Sequence, residues 1–309
     1  MVEDDTGSEG PSTLEHLLPW ARTYALLPTA KRIQHLRADR WIGYSRANAL
    51  LAKLEALYTH PVRQRMPNLL IVGPTNNGKT MIVEKFRRQH HSPSVPHAET
   101  EVWPIISMQM PSGPTVTRFY AQLLETLHVP MRSYARLPEL ETLALRTLRA
   151  VRARLLVIDE LHNMLAGPRA AQREFLNLLR FLGNELRIPI VCLGTKEAYY
   201  AISGDDQLEN RFEPVGLPLW QDDAELASLL ASFGAVLPLR HCSQLDDPDI
   251  TRYILDQSEG TIGEIATLLT SAAMYAIERG VELIDRRVLA AADYRSPSVR
   301  RSTVQRIVQ

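Results

Sequence analysis

The residues Gly73-Pro74-Thr75-Asn76-Asn77-Gly78-Lys79-Thr80 match the phosphate-loop pattern G-x-x-x-x-G-K-[ST], also called Walker A. The spacing serves a definite chemistry. The glycines let successive backbone N–H groups turn inward as an anion nest, and a helix starting near Lys79 adds the positive end of its dipole. Lys79 then reaches the outer phosphates of a nucleoside triphosphate such as ATP, and the Thr80 hydroxyl ligates Mg2+. Met81 follows as the next residue of that helix start. The octet has this meaning only between a strand and a helix, and here LLIV (69–72) precedes it and MIVEKFRRQ (81–89) follows.

A second group of candidates lies on LLVIDE (155–160), an apolar run ending in two carboxylates. Asp159 can hold Mg2+ through water, and Glu160 can orient and deprotonate an attacking water. By itself an acidic pair after a strand is an ordinary helix cap; the phosphate loop upstream favours catalysis. Thr195 ends a third apolar run, IVCLG (190–194). It can cap the next helix, face the terminal phosphate, or do both. Arg211, in ENRF (209–212), is a candidate guanidinium supplied in trans to a neighbouring subunit's phosphates.

The elements that must position these groups follow from periodicity. Short apolar runs bounded by turn formers predict buried parallel strands at 69–72, 102–107, 155–158 and 190–193, with a fifth at 215–219. Helical spacing separates them at 79–89, 116–127, 139–152 and 172–186. Strand alternating with helix predicts a parallel sheet covered on both faces. After Trp220 the strand signal stops, and 222–233, 249–257, 262–277 and 286–292 read as helices. The expected organisation is an acidic, disordered lead (1–13), a helical extension (14–60), an α/β core (61–220), a small helical domain (221–294) and a basic tail (295–309).

Composition bounds the remaining possibilities. The chain has 309 residues, 45% of them hydrophobic, and 35 Lys+Arg balance 35 Asp+Glu. That is too apolar and too charge-balanced for a disordered chain, and long enough for one large or two modest domains. Cys192 and Cys242 are far apart, which excludes a disulfide scaffold and a zinc finger. The uncharged stretch 226–239 is too short to span a bilayer, and Glu3, Asp4 and Asp5 are the opposite of a cationic signal peptide. A soluble, cytoplasmic protein is expected. Only five of the cations are Lys, an Arg bias that genome composition also produces. Acids crowd 3–9, whereas Arg295, Arg300, Arg301 and Arg306 stand in 295–309, so both ends read as solvated tails.

Taken together, GPTNNGKT, LLVIDE, the strand-ending Thr195, the NRF arginine and the helical C-terminal region resemble an AAA+ ATPase. More narrowly, WIGYSRA (41–47), RMPNLLIVGPTNNGKT (65–80), LLVIDELHNMLAG (155–167), FLNLLRFLGNELRIPIVCLGTKEA (175–198) and EGTIGEIATLL (259–269) resemble the TniB transposition ATPases, relatives of TnsC and, more distantly, of IstB. The resemblance spans residues 35–295. It implies an α/β P-loop AAA+ core, a parallel sheet flanked by helices, with a small all-helical C-terminal lid. It also implies an ATP-dependent regulator of DNA transposition. Such proteins assemble on duplex DNA with ATP and Mg2+, recruit a DDE transposase and answer to a TniQ-like target-selection partner. Residue by residue, Gly73, Pro74, Thr75, Asn76, Asn77, Gly78, Lys79, Thr80 and Met81 would bind nucleotide. Thr80 and Asp159 would serve the metal, Glu160 the water, Thr195 the first sensor and Arg211 the finger. The stretch 260–264, where many relatives carry a second sensor arginine, has none. Slow, switch-like hydrolysis is therefore expected.

A finger in trans makes a heterologous interface, which closes into a homo-oligomeric ring or runs on as a helical filament. The candidate DNA contact is the loop and helix start after the second strand, with Thr115, Thr117 and Arg118 binding phosphate without base readout. Thr115 or Thr117 capping the helix is the competing explanation. Arg169 and Arg173 are a second candidate, and the tail 295–309 a place for transposase contact. By resemblance Trp41 to Tyr44 would lie near the adenine, although apolar packing explains them nearly as well. A helicase loader or replication initiator of the same superfamily is the alternative. An initiator would be expected to append a DNA-reading domain, and only 295–309 follow the last predicted lid helix. A nucleotide-switched scaffold on DNA is the other alternative.

Overall fold

The computed structural model describes residues 14–90, 101–113, 115–132 and 134–308. The acidic lead expected at 1–13 lies outside them. In chain order the helices are α1 (Pro19–Ala25), α2 (Thr29–Arg37), α3 (Ser45–Tyr58), α4 (Lys79–Gln89), α5 (Val116–Thr126), α6 (Leu137–Ala150), α7 (Arg169–Leu186), α8 (Lys196–Ser203) and α9 (Asp206–Glu209). They continue with α10 (Ala224–Val236), α11 (Pro248–Ser258), α12 (Ile262–Arg279), α13 (Arg286–Ala291) and α14 (Pro297–Val308). The strands are β1 (Asn68–Val72), β2 (Ile105–Gln109), β3 (Leu155–Asp159), β4 (Ile190–Gly194) and β5 (Phe212–Gly216). No single helix among the described residues is long and apolar enough to cross a membrane.

Two compact units result, one of residues 46–218 and one that joins the segment before 46 to the segment from 219 on. The first is an α/β layer structure. Its five strands run parallel in the order β2-β3-β4-β1-β5. β3 and β4 are buried at every position, as unbroken apolar runs require of strands covered on both faces. Helices α5, α6 and α7 cover one face through Phe119, Tyr120, Leu123, Leu148, Phe175 and Leu182, all within the main core cluster. Because β4 stands between β1 and β3, the carboxyl ends of these three strands meet at one edge of the sheet.

Two strands sit away from their expected places, for reasons visible in the residues. β2 begins at Ile105, after Pro104, which has no N–H for a ladder; the Pro104 carbonyl still accepts from Arg154 and Leu155. β5 begins at Phe212 and carries Glu213 and Pro214, so its apolar signal is broken. Proline is tolerated there because β5 is an edge strand, bonded to β1 alone.

The second unit is all helical. Arg32 on α2 is 1% exposed and grips Glu282 through two bonds of 2.7 and 2.5 Å, with a third to the Pro238 carbonyl at 2.6 Å. Tyr44 packs edge-on against Trp220, with ring centroids 5.1 Å apart. The basic segment read as a solvated tail is helix α14. Its arginines find acids that precede it by some forty residues: Arg300 donates to Glu264 at 2.5 Å and Arg301 to Glu259 at 3.0 Å. The acids offset the charge that made the segment look solvated.

Candidate active site

The phosphate loop leaves β1 at Val72 and enters α4 at Lys79. Gly78 caps the helix in the left-handed region at φ 82°, a conformation that costs a residue with a side chain. A Cβ on Gly73 would stand 2.8 Å from the Leu217 carbonyl oxygen, so only glycine fits that approach. Asn77, one of the variable positions of the motif, donates its amide to Leu217 O at 2.8 Å and Pro218 O at 3.0 Å. It thereby pins the loop to the chain leaving β5. Nothing in the motif signals that role.

Lys79 is 6% exposed and donates to the carbonyls of Gly73 at 2.8 Å and Pro74 at 2.7 Å, so its ammonium is folded into the loop. Burial pushes its pKa below the ordinary lysine value, against an upward pull from Glu160 and Asp159. The two carboxylates of LLVIDE thus act electrostatically on the loop's cation. The Thr80 hydroxyl donates to Asp159 Oδ2 at 2.6 Å. A hydroxyl and a carboxylate at that separation are hard oxygen donors suited to Mg2+, which takes few protein ligands and completes its shell with water and phosphate oxygens. The residues therefore fit the metal.

Asp159 accepts from the Glu160 backbone N–H through Oδ1 at 2.7 Å, so both of its oxygens are oriented. Glu160 turns the chain at φ 55°, in the left-handed region, and its Oε2 stands 3.1 Å from His162 Nε2. Thr195 follows β4 and is the N-cap of α8, yet its side chain makes no capping bond. Glu197, two residues on, has its carboxyl held below the ordinary value, first by the Thr195 side chain. Since β4 lies between β1 and β3, Thr195 stands on the sheet edge that carries the loop and the acids.

Arg211 is elsewhere. It precedes β5, and its carbonyl accepts from the N–H of Asn68 at the start of β1. The loop follows the other end of β1, a strand length of about 16 Å away. The Arg211 guanidinium donates to Asn184 Oδ1 at 2.9 Å. Burial, then the neighbouring Arg65 and Arg180, push its pKa down.

Of the candidate DNA residues, Thr115 is the N-cap of α5, its hydroxyl accepting from Arg118 N–H at 3.2 Å. Arg118 curls back to the Gly113 carbonyl at 3.2 Å, and Thr117 and Arg118 are exposed. The segment joins the acid strand directly: Met110 N–H donates to the Asp159 carbonyl at 2.8 Å, and the Asn163 amide to the Met110 carbonyl at 3.0 Å.

Loop, acid pair and strand-ending threonine thus stand together at the carboxyl edge of a parallel sheet. A family model described as "Bacterial TniB protein" matches residues 32–222. No curated protein matches the chain. Among solved structures, the Aeropyrum pernix ORC2 protein (ADPNP-ADP complexes) gives a TM-score of 0.57 at 15% identity, over 84% of this chain and 70% of that one. The Aeropyrum pernix ORC1 protein in complex with DNA gives 0.57 at 16% identity, over 88% and 69%. Cdc6p from Pyrobaculum aerophilum gives 0.54 at 14% identity, over 80% and 66%. Identities this low establish a shared fold.

Proposed function

The chain belongs to the TniB family and has the fold of AAA+ ATPases, and on that premise we propose that it is an ATP-dependent regulator of DNA transposition. ATP binding drives copies of the chain to assemble on duplex DNA, as a ring or filament, where they recruit and activate a DDE transposase under a TniQ-like target-selection partner. The observation that carries the assembly is the position of Arg211, a strand length from the phosphate loop of its own chain. From there a guanidinium serves the triphosphate of a second copy, and one contact repeated between copies builds the assembly.

Within each composite site the chain's own residues divide the work. Backbone N–H groups of 73–80 and the α4 amino end cradle the phosphates, and the Lys79 ammonium exchanges its carbonyl partners for phosphate oxygens. Thr80 and Asp159 hold Mg2+, which screens the phosphate charge when bound. Glu160 takes the proton of the attacking water, Thr195 donates to the terminal phosphate, and the neighbour's Arg211 stabilises the charge that develops there. Hydrolysis removes the terminal phosphate that joins two copies, so it resets the assembly.

DNA contact falls to the segment after β2, through Thr117 and Arg118, with Thr115 fixing the helix start they project from. The Met110–Asp159 and Asn163–Met110 bonds support a link between this segment and the nucleotide. Many weak phosphate contacts, repeated along a duplex, supply avidity without sequence preference. The protein then acts at the nucleoid, in the cytoplasm.

The Glu160→Gln variant tests this reading. It should bind ATP, hold stable assemblies on DNA and retain transposase recruitment while losing about 100-fold or more in turnover. Loss of ATP-dependent DNA binding in that variant would contradict it.

A further inference from the structure

The carboxylate read as activating water does not stand alone. Glu160 Oε2 faces His162 Nε2 at 3.1 Å. The other ring nitrogen, Nδ1, is buried and finds no partner among the described residues. A proton on Nδ1 would be an unsatisfied buried donor, so the ring proton belongs on Nε2, and the imidazole donates to Glu160.

We infer that His162 is a positioning residue for ATP hydrolysis, acting through Glu160. This rests on the reading of Glu160 as the base that activates water. Glu160 leaves the strand through a left-handed residue, and its side chain lies about one-third exposed. A carboxylate so placed has several rotamers open to it. The bond to His162 fixes one oxygen and leaves the other to face the water, as a third group orients the base in other hydrolytic sites.

The test is steady-state ATPase of the full chain with duplex DNA, resolved into kcat and KM, beside ATP affinity and thermal melting. His162→Ala should lower kcat by about 10- to 100-fold, the scale set by misplacing a catalytic group, with KM and ATP affinity unchanged. His162→Gln, whose amide can donate to Glu160, should recover most of kcat. The inference is overturned if His162→Ala turns over within twofold of the parent, or if His162→Gln gives no rescue. If Glu160→Gln leaves turnover intact, the reading of the site falls and takes this inference with it. Intact dependence on Glu160 beside an inert His162 removes the inference alone.

Discussion

The Thr80 hydroxyl donates to Asp159 Oδ2 across 2.6 Å, joining the first turn of α4 to the last residue of β3. The two residues are 79 apart in sequence, and a further strand, β4, runs between those that carry them. A sheet that puts β4 in the middle is what lets these two groups meet from such distant positions. In the proposed function the pair holds Mg2+. Thr80→Val should therefore keep the nucleotide site folded and lose the Mg2+-dependent part of ATP affinity, read by calorimetry with and without Mg2+. Full Mg2+ dependence in that variant would contradict the assignment. Lys79→Ala should weaken ATP by about 10- to 100-fold, the scale of charge-assisted hydrogen bonds.

The approach of the loop to the end of β5 gives a steric prediction. A Cβ on Gly73 meets a backbone oxygen at 2.8 Å, and Asn77 anchors the loop to that same carbonyl, so neither side can give without loosening the other. Gly73→Ala should destabilise the chain by about 1–3 kcal/mol and weaken ATP binding as well. Melting curves with and without ATP separate the two effects. Parental ATP affinity in this variant would mean that the loop is not held as described.

The helical unit has its own pH dependence. Burial alone would raise the pKa of Glu282; bonds and charge from Arg32, then from Arg240, more than offset it, and the carboxyl ends below its ordinary 4.5. A carboxyl depressed by folding contributes stability above its unfolded pKa and loses it as the pH falls through the lower, folded value. Melting temperature should therefore drop with acid below 4.5, and Glu282→Gln should flatten that limb. Arg32→Ala, which strands a buried carboxylate, should cost about 3–5 kcal/mol near neutral pH. An acid limb unchanged by Glu282→Gln would contradict this account.

Arg211→Ala should leave ATP binding to the monomer intact and abolish ATP-dependent assembly, measured by sedimentation. Mixing it with Glu160→Gln protein should restore some composite sites, because each variant supplies what the other lacks. No recovery of turnover or assembly at any mixing ratio would argue against a guanidinium in trans. Asn184→Ala, which frees the Arg211 side chain from its 2.9 Å bond, should weaken assembly less.

Much of the site was legible because its chemistry demands fixed residue types in contiguous positions. Gly73, Gly78, Lys79 and Thr80 announce a phosphate loop, and Asp159-Glu160 at the end of an apolar run announces the acids. What joins them was not legible, since strand order depends on packing between elements far apart. The same holds for Asn77, whose partners lie 140 residues away, and for Arg32, whose partner lies 250 away. Edge strand β5 was placed late because Glu213 and Pro214 interrupt its apolar pattern. Helix α14 was read as a tail because four arginines without acids look solvated, and the acids that receive two of them sit on α12 and at the C-cap of α11.

The central claim is that ATP governs whether copies of this chain assemble on a double helix. Electron microscopy of the purified protein with long duplex DNA, Mg2+ and a non-hydrolysable ATP analogue tests it most directly. Rings or filaments on DNA with the analogue, absent without nucleotide and absent for Arg211→Ala, are the predicted result. A chain that stays monomeric with saturating analogue and DNA, or coats DNA equally without nucleotide, would contradict it.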